Sequence, residues 1–326
     1  MQARFLFAIV TALFLTACNG LQPLSVPDEQ TDAAAESGVT EPLKILPLEQ
    51  TLPLDSAVRS GTLDNGLTYY IRHNDEPENR AELWLAVNAG SLQEDEDQLG
   101  LAHFLEHMLF NGTERFPEMG IVDFLEGIGM EFGPDVNAYT SYDETVYTIQ
   151  VPTDDSETLA TGLDVLEDWA GAATLDPAEI DKERGIIVEE HRLRQETASG
   201  RISEQTLPAL LGESRYRERR PIGNMDVIRS APPEAFERFY ETWYRPDLMA
   251  VIAVGDFDVD EVESMIQERF SDLTNPEAAT PREEYDIPST SETAYHIFTD
   301  PEETLTQIQI WRRQLDKPLH TCLLYT

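Results

Sequence analysis

The stretch LGLAHFLEHMLFNGTERF, residues 99–116, carries two of the six histidines of the chain, four positions apart. We predict a helix over residues 98–110, and on a helix side chains four residues apart lie on the same face. His103 and His107 can therefore present imidazole nitrogens to one metal ion, with Glu106 at the edge of that face. Two imidazoles and a carboxylate bind zinc and leave a fourth position for water.

The spacing His-x-x-Glu-His is the inverted zincin motif. A bound metal lowers the pKa of its water, and a nearby carboxylate can take the proton, a task for which Glu106 is suitably placed. The alternative is an amphipathic helix whose apolar residues pack in the core while the histidines only make hydrogen bonds. The five residues alone leave both interpretations open, and a third ligand would favour the metal.

A second acidic segment, DKERGIIVEEH at residues 181–191, lies on a helix that we predict over residues 177–196. Its Glu183 and Glu190 are seven positions apart, two turns along one face, so one can ligate a metal and the other can orient a ligand. His191 lies about 100° around the helix from Glu190 and is expected off the site. The alternative is a solvated acidic helix, since the chain is acidic throughout.

The rest of the sequence predicts an α+β fold with a mixed, largely antiparallel sheet and helices packed on it. Residues 62–71 indicate a strand, an Asn-Gly turn and a second strand. Further strands are predicted at 81–87, 145–151 and 249–254, and further helices at 119–127, 156–173, 201–211, 233–243 and 259–270. Residues 274–290 resemble a linker, and 294–311 indicate new strand-forming sequence.

The N-terminus predicts export. Arg4 precedes the apolar run 5–15, which is too short for a permanent membrane span and is followed by Leu-Thr-Ala-Cys. This pattern resembles the lipobox of bacterial lipoproteins, with residues 1–18 as signal peptide and Cys18 as the lipidated residue; an ordinary signal peptide is the alternative. Asn19 resembles outer-membrane sorting in Gram-negative bacteria. We therefore expect a lipid-anchored, periplasm-facing envelope protein with a flexible tether over residues 19–56.

Composition restricts the remaining classes. The chain has 326 residues, a net charge of -39 and a pI of about 4.2, which argues against nucleic-acid binding because that requires a basic surface. The only two cysteines, Cys18 and Cys322, lie at the two ends. Any metal bound in the middle of the chain must therefore use His, Asp or Glu, and we expect membrane contact through the lipid anchor alone.

Several blocks, in order, resemble the pitrilysin/insulinase family of zinc metallopeptidases: GLAHFLEHMLFNGT, NAYTSYDETVYTIQV, DKERGIIVEEHR and FYETWYRPDLM. The resemblance implies that His103, His107 and Glu190 bind one Zn²⁺ and that Glu106 is the general base. The stretch from His107 to Glu190 is several residues longer than the family leads us to expect, which leaves Glu189 as an alternative ligand.

The resemblance also implies roles outside the ligand set. Glu183 matches the family's supporting glutamate, seven positions before the ligand. Asn137, Ala138 and Tyr139 resemble the segment that lines the cleft, where an extended peptide is held alongside a strand. A plain turn asparagine is the alternative interpretation of Asn137.

These features together predict a zinc-dependent metalloendopeptidase that acts on peptides or unfolded proteins, with its catalytic domain at residues 57–273. Residues 274–326 are expected to be a linker and the truncated start of a second, similar domain without the motif. We expect the natural protein to continue past residue 326, or a partner subunit to complete the cleft, so that this part alone is weakly active. The alternatives are a non-catalytic structural subunit of the same fold and a metal-storing lipoprotein.

Overall fold

The computed structural model describes residues 53–131, 133–288 and 292–312. In this part of the chain six strands form one sheet in the order β1-β2-β6-β3-β5-β4. The strands are Arg59–Thr62 (β1), Thr68–His73 (β2), Arg80–Val87 (β3), Val136–Thr140 (β4), Thr145–Pro152 (β5) and Met249–Gly255 (β6). Only β2 and β6 pair in parallel, and the other neighbours are antiparallel. The predicted mixed, largely antiparallel sheet is confirmed.

The strands alternate between a buried and a more exposed face, as a sheet covered on one side requires. In β3 the side chains of Leu83, Leu85 and Val87 are fully buried. The helices are Leu101–Asn111 (α1), Gly120–Gly127 (α2), Ser156–Gly171 (α3), Pro177–Glu196 (α4), Ala198–Leu211 (α5), Arg215–Glu218 (α6), Met225–Ser230 (α7), Pro233–Trp243 (α8) and Val259–Phe270 (α9). The α+β class predicted from the sequence is therefore correct.

Turn and helix-capping residues in the sequence predicted the bounds of most elements to within a few residues. The Asn-Gly turn joins β1 to β2, and Gly66 adopts φ 95°, a conformation that favours glycine. Helix α4 begins after Asp176, whose carboxylate accepts the N–H groups of Ala178 and Glu179. The predicted start of the motif helix at residue 98 is three residues too early, because Gly100 adopts φ 99° and α1 begins after it.

The strand-forming segment 294–311 is the clearest error. Within the described stretch 292–312 no strand forms, and Tyr295, Ile297 and Ile310 are almost fully exposed. The alternation of apolar residues indicated a strand, but a strand also needs a neighbour to pair with its N–H and C=O groups. Arg201 of α5 holds this segment through two bonds to Asp300, at 2.6 and 2.7 Å.

Some predictions concern residues that the structure does not describe. The signal peptide with Cys18 and nearly all of the tether lie outside the described residues. The boundary near residue 273 stays a prediction. Among the described residues, none of the helices combines the length and the apolar character that a membrane span requires.

Candidate metal centre

Helix α1 is buried on nearly every side. Nine of its eleven residues are buried, and the ring of Phe104 packs edge-on against Phe236 of α8 at 4.8 Å. His103 and Glu106 are each 8% exposed although both are polar, and His107 is half-buried. Burial of three polar side chains on one helix costs free energy unless they have partners or a ligand. This cost already separates α1 from an ordinary core helix.

The N-terminus of α1 is held by Glu94, a residue that the sequence analysis did not single out. Gly100 offers no side chain for capping, and the Glu94 carboxylate instead accepts the N–H groups of Gly100 and Ala102, at 2.9 and 3.0 Å. These donors have no partner inside the helix, and the two carboxyl oxygens of Glu94 satisfy them. Burial raises the pKa of the Glu94 carboxyl to about 8, against the opposing effect of these two donors.

Three donor atoms converge between α1 and α4. The Nε2 atoms of His103 and His107 lie 3.5 and 3.8 Å from Oε2 of Glu190, and one ligand atom of each residue lies within 4.8 Å of the others. Ligand atoms bound tetrahedrally to zinc are about 3.4 Å apart, given metal–ligand distances of about 2.0–2.2 Å. The donor set therefore fits zinc, and the two distances to Oε2 of Glu190 are close to the tetrahedral value.

The charges suit a metal as well. Burial lowers the pKa of His103 to about 4, so its imidazole is neutral near pH 7 and keeps a lone pair for a ligand. Burial raises the pKa of Glu190, but His103 and Arg194 outweigh this effect, and the net shift is downward. Arg194 donates to Oε1 of Glu190 at 2.5 Å, which leaves Oε2 directed at the histidines.

The two histidines are held differently. His107 Nδ1 lies 2.9 Å from Oε1 of Glu183, and because a carboxylate only accepts, Nδ1 carries a hydrogen. In the neutral ring Nε2 is then the nitrogen with the lone pair. Burial lowers the pKa of His107, but Glu183, Glu106 and Glu190 together outweigh it and the pKa is raised. His103 Nδ1 is buried without a hydrogen-bond partner among the described residues, so no second carboxylate orients this ring from its far side.

Glu106 lies beside the donor set and is tied to the sheet. The hydroxyl of Thr140, the last residue of β4, donates to Oε2 of Glu106 at 2.5 Å. Burial raises the pKa of Glu106, and the bond from Thr140 opposes this shift. A carboxylate whose pKa is raised toward neutrality is suited to take and return a proton.

The three predicted substrate residues lie on β4, which forms one end of the sheet as described here. Asn137 is exposed and its side-chain oxygen accepts the N–H of Ala138, while the hydroxyl of Tyr139 donates to Glu144 at 3.1 Å. The structure places this segment beside Glu106 through Thr140. Its role in binding peptides stays a prediction.

The alternative ligand Glu189 points away from the donor set. Arg192 donates to Glu189 at 2.8 Å, and both side chains are more than half exposed. His191 lies within 3.2 Å of Gln195, off the site as expected. The structure therefore groups Glu190, and neither of its neighbours, with the histidines, and the ligand role itself stays a prediction.

Sequence reasoning missed four residues that hold the site: Glu94, Asn111, Thr140 and Arg194. One of them carried a usable signal, because Arg194 follows Glu190 by four positions, the spacing of contacting side chains on a helix. The bond from Asn111 to Glu183 joins two different helices. The bonds from Thr140 to Glu106 and from Glu94 to the start of α1 depend on the tertiary fold. No local spacing predicts them.

A helix carrying His-x-x-Glu-His, a second helix supplying the third donor and a sheet edge beside the base define the class of inverted-motif metallopeptidase domains. Sequence profiles agree with this class. The profile described as insulinase, peptidase family M16, matches residues 69–219, and that of the peptidase M16 inactive domain matches residues 230–319. The chain belongs to the insulinase family of zinc metallopeptidases.

Named relatives are consistent with this assignment. The probable zinc protease PqqL of Escherichia coli (strain K12) is 40% identical over 262 residues, 80% of this chain and 28% of that protein. A zinc protease PQQL-like protein of Arabidopsis thaliana is 40% identical over 251 residues, 77% of this chain and 26% of that protein. The chain thus spans about a quarter of the length of these curated relatives.

A solved structure shows the same fold. The crystal structure of the first half of the periplasmic protease PqqL from Escherichia coli matches with a TM-score of 0.69 at 42% identity. The match covers 74% of this chain and 51% of that one. The second profile begins at residue 230 and therefore includes α8, β6 and α9. Strand β6 nevertheless belongs to the same sheet as the strands in the first profile, so the boundary between the profiles does not separate two sheets.

Proposed function

We propose that this protein is a zinc-dependent metalloendopeptidase. The observation that carries the proposal is the convergence of His103, His107 and Glu190 beside a buried Glu106. Zinc held by these three residues would polarise a peptide carbonyl and lower the pKa of a water molecule. The named relatives, described as zinc proteases, support the same metal and the same reaction class.

Glu106 would act as the general base and then as the general acid. It would take a proton from the attacking water, whose oxygen forms the new bond to the carbonyl carbon. As the carbon–nitrogen bond breaks, Glu106 would return that proton to the leaving amine. Thr140 fixes one oxygen of Glu106, so the other oxygen is the one that exchanges the proton.

Peptides or unfolded proteins are the substrates that this arrangement suits. Strand β4 lies at the end of the described sheet, and an extended peptide can pair with such an edge by main-chain hydrogen bonds. Asn137, Ala138 and Tyr139 would line that edge. They directly precede Thr140, which contacts Glu106. A compact folded protein presents no free strand and would be a poor substrate.

The location follows from the N-terminus and one relative. PqqL of Escherichia coli is described as periplasmic, and Cys18 follows a lipobox-like sequence. We infer a lipid-anchored protein of the bacterial envelope that faces the periplasm, at the outer membrane. The Cys18→Ala variant is expected to leave the membrane fraction or to remain unprocessed, whereas unchanged membrane association would contradict the anchor.

One observation favours a second candidate function. The profile that matches residues 230–319 is described as an inactive domain. We infer that the cleft is completed by further domains of the natural protein or by a partner subunit, and that residues 19–326 alone cleave peptides slowly. A non-catalytic subunit would show no peptidase activity in any assembly.

Cleavage of a quenched fluorescent peptide by the full-length natural protein separates these functions. The expected result is hydrolysis that a chelator abolishes and added zinc restores. The Glu106→Gln variant should keep its zinc and lose activity by roughly 100- to 10,000-fold, because an amide cannot accept the proton. Hydrolysis that survives both the chelator and this substitution would overturn the proposed function, and no hydrolysis by the parent would favour the structural subunit.

A further inference from the structure

Asn111 is the last residue of α1, one helical turn beyond His107. Its side-chain amide nitrogen donates to Oε2 of Glu183 at 3.0 Å, while Oε1 of the same carboxylate accepts from His107 at 2.9 Å. Glu183 is only 7% exposed, so water reaches little of its charge. Each oxygen of this carboxylate thus has its own donor, and both donors come from α1.

We propose that Asn111 is a positioning residue, which holds Glu183 and through it the His107 ring in the orientation that binds the metal. The inference rests on the proposed function in taking zinc as the ligand. It concerns a residue that neither the motif nor the third donor includes. Asn111 acts on the metal only through two other side chains.

The geometry explains how this would work. A carboxylate held by one donor can rotate about its last side-chain bond, and Oε1 would then swing away from Nδ1 of His107. Because Asn111 fixes the second oxygen, the carboxylate of Glu183 has one orientation. This orientation keeps a hydrogen of His107 on Nδ1. The Nε2 atom of the same ring then faces Glu190. Groups that orient a metal-binding histidine in this way typically change metal affinity by about 10- to 100-fold.

The chemistry of the amide matters as much as its position. Asn111 donates without carrying charge, so the negative charge of Glu183 remains available to His107 and raises its basicity. A carboxylate at position 111 would repel Glu183. An apolar side chain would leave a buried carboxylate oxygen without its donor, which is itself costly. The backbone of Asn111 is fixed as well, since its carbonyl accepts the N–H of Met119 at 3.0 Å.

The test is the zinc dissociation constant of the whole chain, measured by competition with a chromophoric chelator. The parent is compared with Asn111→Leu, which removes the donor at similar size, and with Asn111→Asp, which replaces the donor by an acceptor of equal size. The control is Gln195→Leu, which removes an amide from the off-site pair with His191 on α4. We expect about 10- to 100-fold weaker zinc binding in both Asn111 variants and a change below about twofold in the control.

A second readout needs no metal. Nitrogen NMR of the metal-free parent should show the His107 ring protonated mainly at Nδ1, and the Asn111 variants should show a mixture of the two forms. If Asn111→Leu fails to fold, Asn111→Asp decides. Parent-like zinc affinity with an unchanged His107 ring would overturn this inference while leaving the proposed function intact. A parent chain that binds no zinc would instead overturn the proposed function.

Discussion

Helices α1 and α4 contribute to the same donor set, yet they are built in opposite ways. Nine of the eleven residues of α1 are buried, whereas only three of the twenty residues of α4 are: Ile180, Glu183 and Ile187. Helix α4 even exposes Ile186 and Leu193 by more than half. The core thus fixes two donors in place, while the third lies on a helix with few buried side chains.

Two polar residues of α4, Glu183 and Arg184, connect it to its neighbours near the site. Arg184 donates to the main-chain oxygens of Ile228 and Ala231, both at 2.5 Å, and Glu183 contacts His107 and Asn111 of α1. Changes in α1 should therefore disturb the metal site and the core together. A change at Glu190, which is only partly buried, should affect the metal while leaving the fold intact.

The largest expected effect is on α1. His107→Ala removes one donor and also deprives Glu183 of a partner, so two protein donors remain, too few to hold zinc firmly. We expect the purified variant to contain little zinc where the parent holds about one per chain, as measured by mass spectrometry of the metal. His103→Ala should behave alike. Parent-like zinc content in both variants would show that the ligands are misassigned.

The next effect contrasts two neighbours on α4. Glu190→Gln should weaken zinc binding by at least about tenfold with a nearly unchanged melting temperature, because an uncharged amide is a poor zinc ligand. The matched control is Glu189→Gln, whose carboxylate pairs with Arg192 on the exposed side of the helix. Competition with a chelator measures both. Weaker binding in the control than in Glu190→Gln would exchange the two assignments.

The last effect is on stability and concerns the buried start of α1. The Glu94 pKa is raised from 4.5 to about 8, so the folded chain binds this proton more tightly than the unfolded chain. The resulting stability is present below about pH 4.5 and is lost as the pH rises toward about 8. As the pH rises, the free energy of unfolding of the parent should therefore fall more steeply than that of Glu94→Gln. The two slopes should differ by up to about 1.4 kcal/mol per pH unit.

Denaturant unfolding at several values between about pH 5 and pH 8 measures this difference. Subtracting the Glu94→Gln curve removes the effect of the other titrating groups, including His107 and Glu106. Parallel curves for the two proteins would show that Glu94 keeps its charge in the folded state at all these pH values. The N-terminus of α1 would then be held by an ionised carboxylate throughout.

The comparison also explains what the sequence could predict. Residues 233–243 and 259–270 form helices with the predicted bounds, since their start signals and apolar spacing are local. The spacing in α1 predicted the meeting of His103 and His107 for the same reason. The approach of Glu190 needed the resemblance, because spacing on α4 says nothing about which helix it faces.

Tertiary contacts account for the misses. The segment 294–311 has the alternation of a strand, but the described chain offers it no pairing strand. Thr140 reaches Glu106 across 34 positions, and Glu94 folds back on the start of α1. These contacts depend on the order of the strands, which composition and periodicity leave open.

X-ray absorption at the zinc edge of the full-length natural protein tests whether α1 and α4 supply His103, His107 and Glu190 to one ion. We expect about one zinc per chain, with nitrogen and oxygen neighbours at about 2.0–2.2 Å and the imidazole pattern of two histidines. A sulfur neighbour at about 2.3 Å, or no bound zinc in a folded protein, would contradict this expectation.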